Sequence, residues 1–72
     1  MAKIFKIEGI NITISDKAAK DYKEKILIDL DENAVGTYVM GYILDGERDP
    51  EKLSKLAEER LYDEISTIYF QR

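Results

Sequence analysis

The chain contains no cysteine and no histidine. Disulfides are therefore excluded, and so are the common nucleophile–base pairs, because the serines and threonines have only solvated lysines to activate them. The carboxylates fall where a helix would face water, so no acid–base pair stands out. An enzyme is not expected, and neither is a cofactor or a metal. Long apolar runs are lacking too. The longest, Val35–Leu44, spans ten residues and is broken by Gly36, Thr37 and Gly41, against ~20 for a membrane helix. The start, MAKIFKIEG, carries a glutamate and no cleavage site, unlike a secretory signal. No membrane association and a cytoplasmic location are the expectations.

Seventy-two residues make one domain with a small core, which a partner chain would help to stabilise. The net charge of −4 is unevenly spread. Through Ile28, six lysines oppose four carboxylates, for +2. From Asp29 onward, five basic residues oppose eleven acidic ones, for −6. A basic first third can attract an anion while the acidic remainder limits non-specific adhesion; solvated surface charge is the plain alternative.

Apolar and polar residues alternate in INITIS: Ile10, Ile12 and Ile14 share one face of a strand, Asn11 and Thr13 the other. Upstream, Phe5 and Ile7 share a face, and Glu8-Gly9 is either a two-residue turn pairing Ile7 with Ile10 and Phe5 with Ile12, or a bulge in one longer strand. Ser15 offers an N-cap, followed by a helical face of Ala18, Ala19, Tyr22, Ile26 and Leu30. Asp31 or Asn33 caps a second helix with a stripe of Val35, Tyr38, Val39, Tyr42 and Ile43, closed by Gly46. The same residues favour a strand, so Val35–Leu44 stays divided between the two. Asp49-Pro50 starts a third helix with Leu53, Leu56, Ala57, Leu61 and Ile65 on one side. Ser66–Phe70 either continues it or forms an edge strand. The domain organisation is thus one unit over 1–72: an N-terminal strand or arm at 1–9, a strand–helix–helix core at 10–45 and a C-terminal helix extension at 49–72.

Two ligand motifs fail on inspection. Asp29, Asp31 and Asn33 have the opening spacing of a calcium loop, but Ala34 stands where the turn needs glycine and Met40 where the bidentate glutamate belongs. Gly36 and Gly41 have P-loop spacing, yet Tyr42 and Ile43 replace the phosphate lysine and the metal-binding hydroxyl.

INITIS followed by Asp16, together with LDENAVGTYVMGYI, resembles the ribbon-helix-helix family of DNA-binding regulators over about residues 10–43. The resemblance implies an α+β, ribbon-helix-helix-like homodimer whose paired strands read double-stranded DNA in the major groove to regulate transcription. Asn11 and Thr13 would read bases, Asn33 would contact a phosphate at a helix start, and Lys3, Lys6 and Lys17 would add salt-dependent attraction. Asp29 departs from the family's inter-helix glycine. The rival fold is a ferredoxin-like βαββαβ sandwich, with Lys25–Asp31 and Val35–Leu44 as a hairpin. Its function would be that of a non-enzymatic acidic protein-interaction module, of the phage-type inhibitor kind, binding another protein through Tyr38, Tyr42, Tyr62 or Tyr69.

Overall fold

Alternation in the first fourteen residues is realised as two paired strands. The computed structural model describes residues 2–70, and the side chains of 2–68. β1 (Lys3–Ile7) and β2 (Ile10–Ile14) form an antiparallel hairpin with Phe5 opposite Ile12 and Ile7 opposite Ile10. Glu8 and Gly9 connect them with φ of 52° and 78°. Both values are positive, as a type I′ turn requires, and that turn matches the twist of the flanking strands. Turn, not bulge, is therefore the outcome. Ile7, Ile12 and Ile14 are buried on the inner face, with Phe5 and Ile10 half-buried beside them. Ile4, Lys6, Asn11 and Thr13 face outward and are exposed.

Helix α1 (Asp16–Ile26) starts where Ser15 Oγ accepts from the Ala18 N–H at 3.1 Å. It ends at Leu27, whose φ of 73° is left-handed and whose N–H bonds to the Lys23 carbonyl. Glycine usually takes that position. Leu30, expected on the α1 face, is buried from the connection that follows.

Helix α2 (Glu32–Leu44) resolves the divided stretch. Asp31 caps it, Oδ1 accepting from the Ala34 N–H at 2.9 Å. Val35, Tyr38, Val39 and Ile43 are buried. Burial contributes about 1.5–3 kcal/mol per large apolar side chain, which outweighs the ~1 kcal/mol each that Gly36 and Gly41 cost a helix relative to alanine. A Cβ at Gly36 would lie 3.9 Å from Ile7 Cδ1, an ordinary contact distance, so the packing of α2 on β1 does not itself require glycine there.

Helix α3 (Pro50–Phe70) begins at the expected signal. The Asp49 carbonyl accepts from the Leu53 N–H at 2.9 Å and its Oδ1 from the Glu51 N–H at 3.0 Å. Leu53, Ala57, Leu61 and Ile65 are buried, while Leu56 is only half-buried. Ser66–Phe70 continues this helix instead of forming a strand.

The result is an α+β fold, a two-stranded hairpin followed by three helices. The ferredoxin-like alternative is not formed, because Val35–Leu44 buries its apolar side chains at helical spacing and the last segment extends α3. α3 packs against β2, α1 and α2, and β1 lies against α2. A polar contact ties α2 to α3: the Tyr38 hydroxyl donates to the Glu64 carboxylate. Burial, then the Glu64 bond, pushes the Tyr38 phenol far up; burial, then the Glu64 charge, raises Tyr22.

Candidate functional site: two unlike edges of the hairpin

Hydrogen-bond alternation gives the hairpin two distinct edges. Beside a two-residue turn the flanking residues, here Ile7 and Ile10, exchange both backbone bonds, and so do every second pair beyond them. Ile4 and Lys6 on β1, and Asn11 and Thr13 on β2, therefore direct their N–H groups away from the partner strand.

Toward its C-terminal end β2 meets α3. The Thr13 N–H donates to Ser54 Oγ at 2.8 Å, and the Ser15 N–H donates to Glu58 Oε2 at 2.8 Å. Ser54 in turn donates its hydroxyl to the Pro50 carbonyl at 2.7 Å, which fixes its rotamer. Ser54 and Glu58 are one helical turn apart and flank the buried Leu53–Ala57 stripe, so α3 serves as the neighbour that a third strand would otherwise be.

At β1 the situation is reversed. No side chain among the described residues bonds to the outward N–H of Ile4 or Lys6. Ile4 is 65% exposed. Between the turn end of β1 and α2 lies a groove of about 370 Å³, bordered by Lys6, Ile7, Glu8, Glu32, Asn33, Gly36, Thr37 and Met40.

The β2 side carries a larger groove of about 730 Å³, lined by Thr13, Glu51, Ser54, Lys55, Glu58, Glu59, Tyr62 and Asp63. Four carboxylates face one lysine there. At its end the Tyr62 hydroxyl donates to Asp21 Oδ2 at 2.6 Å, and Lys17 Nζ binds the same oxygen at 2.9 Å. Lys17 Nζ also sits 5.9 Å from the Tyr62 ring centroid. The Tyr62 bond, followed by Lys17, holds the Asp21 carboxyl below the usual carboxylate range, and the bond to Asp21 in turn raises both Lys17 and Tyr62.

The predicted site residues divide accordingly. Lys6, Asn11 and Thr13 share the outer face, with Lys6 directly opposite Asn11. Asn33 joins Lys6 across the smaller groove, but the first turn of α2 is already capped by Asp31 and carries Glu32. Lys3 stands apart with Asp16, Lys20, Lys23 and Asp29, and Lys17 is engaged with Asp21 and Tyr62. Among the tyrosines, Tyr38 is buried because it lies on the α2 stripe, which corrects its assignment as an exposed anchor. Tyr42 is half-buried and Tyr62 exposed, while the side chain of Tyr69 lies outside the described residues. Ser54 and Glu58 were not anticipated, since in sequence they look like any polar positions of an amphipathic helix. Ile4 was missed as well, although its position out of phase with Phe5 and Ile7 marked it.

No described helix is long and apolar enough to cross a membrane, and no described group of acidic side chains converges as a metal site. No protein-family model, curated protein or solved structure matches the chain.

Proposed function

We propose that the protein is a non-enzymatic protein-interaction module that engages its partner through the exposed half of the hairpin, acting in the cytoplasm. The observation that carries this reading is the contrast between the edges: α3 side chains accept from Thr13 on β2 and from Ser15 just beyond it, while no described side chain accepts from the outward N–H groups of β1 and Ile4 is exposed. An uncovered edge is a ready template for pairing with another chain. The carboxylates beside Thr13 favour a protein partner over a polyanion, because Glu51, Glu58, Glu59 and Asp63 would repel phosphates brought to that face. The test is affinity isolation of a partner by the wild-type protein. Ile4→Asp and Lys6→Glu should abolish recovery, while Lys20→Glu should not. Recovery unchanged by the hairpin variants would contradict the reading.

A second reading keeps one specific support. Lys6, Asn11 and Thr13 lie together on an exposed two-stranded ribbon, the kind of element that the major groove of DNA admits. Under it the protein is a DNA-binding transcriptional regulator in which one chain supplies both strands. A homodimer of the ribbon-helix-helix kind would then add to the ribbon and not create it. Salt-sensitive duplex binding lost in Asn11→Ala and Thr13→Ala would establish this reading and displace the first.

A further inference from the structure

We propose that the open edge of β1 accepts an extended, acidic–apolar segment of a partner as a third strand; this rests on the interaction-module reading and specifies the partner's chemistry. Three features converge on that edge. The outward N–H groups of Ile4 and Lys6 are two residues apart, the spacing at which an added strand exchanges backbone bonds. Ile4 and Lys6 also project their side chains onto the same exposed face, where they stand beside the added strand's own outward residues. On the inner side, the groove toward α2 is floored by Gly36, where a Cβ would meet only Ile7 Cδ1, with half-buried Met40 nearby. That floor has room for small side chains.

Charge selects among occupants. β1 carries Lys3 and Lys6 and no carboxylate. A second copy of β1 would assemble four ammonium groups on two five-residue strands, so self-pairing is disfavoured, whereas a carboxylate beside Lys6 gains a cross-strand ion pair. The fitting segment places an acidic residue beside Lys6 and a β-branched apolar residue beside Ile4, with a small residue beside Ile7 facing Gly36. Glu8 and Glu32 border the turn end of the groove, so the acidic residue belongs on the outer face and not inside.

The test uses the full chain and two blocked octapeptides, one alternating glutamate and valine with alanines between them, the other with lysine in place of glutamate. Amide exchange is followed by NMR. The glutamate peptide should slow exchange at Ile4 and Lys6 at least tenfold, with the lysine peptide without effect. Lys6→Glu should reverse that preference. Absence of protection at both amides with either peptide overturns the inference, as does protection that grows with protein concentration alone, which would identify a second copy as the occupant. Peptide shifts confined to Asn11 and Thr13 would also overturn it while leaving the interaction-module reading standing; salt-sensitive duplex binding would remove that reading itself.

Discussion

The two strands of the hairpin are equal in length and alternate in the same way, yet their outer edges meet different surroundings. β2 lies along α3, where Ser54 accepts from the outward Thr13 N–H and Glu58 from Ser15 just past the strand; β1 lies above α2 with no described side chain on its outward N–H groups. A two-stranded sheet has two edges, and each left open invites pairing with another chain. Closing one with helix side chains confines any such pairing to the other. The same contrast holds in charge, with carboxylates crowding the closed side and lysines on the open strand.

The largest expected effect concerns what both strands share. Ile12 is fully buried on the inner face, and Ile12→Ala should cost about 2–5 kcal/mol in chemical denaturation. A smaller loss would mean that the hairpin is only loosely seated. Proline substitution separates the edges next. Thr13→Pro removes the donor to Ser54 and should cost ~3 kcal/mol, whereas Ile4→Pro, whose N–H meets only solvent, should cost less than about 1 kcal/mol. Equal losses would break the comparison. Glu58→Ala should then cost about 1.5–3 kcal/mol, because the half-buried Ser15 N–H loses a charged acceptor, while Lys6→Ala should stay within about 0.5 kcal/mol.

Stability should also respond to pH on the helical side of β2. Tyr22, Tyr38 and Tyr62 have raised values in the folded protein. Their contribution is complete below the ordinary phenol value of about 10 and is lost as pH rises through the folded values. Asp21 is lowered, so its contribution is present above the ordinary carboxylate range of about 4 and is lost as pH falls through the folded value. Thermal melts should therefore decline on both flanks, with Tyr38→Phe weakening the alkaline decline and Asp21→Asn the acid one. A small effect of the opposite sign lies at the turn. Glu8 holds a φ of 52° that a type I′ turn prefers to give to asparagine, and Glu8→Asn should add about 0.5–1 kcal/mol.

Much of the hairpin was legible in the sequence. Five apolar side chains on one face were expected with either a two-residue turn at Glu8-Gly9 or a bulge in one longer strand, and the observed register is that of the turn. Ser15 and Asp49-Pro50 marked the starts of α1 and α3 for local reasons, a capping oxygen and a missing N–H. α2 was not decidable locally, because Thr37, Tyr38, Val39 and Tyr42 favour strands and only tertiary burial at helical spacing makes them a helix. The closing of β2 was not legible at all. Ser54 and Glu58 are more than forty residues from their N–H donors, as their contacts to Thr13 and Ser15 show, and no pattern in a single helix announces that its polar flank faces a strand edge. The clustering of Lys6, Asn11 and Thr13 followed from alternation alone, whereas the separation of Lys3 and Lys17 from them depended on how α1 packs.

The most direct measurement is amide hydrogen exchange of the free protein at four positions. Thr13 and Ser15 should exchange slowly, held by Ser54 and Glu58, and Ile4 and Lys6 should exchange rapidly despite lying in the same hairpin. Comparable protection at all four amides would contradict the distinction between a closed and an open edge.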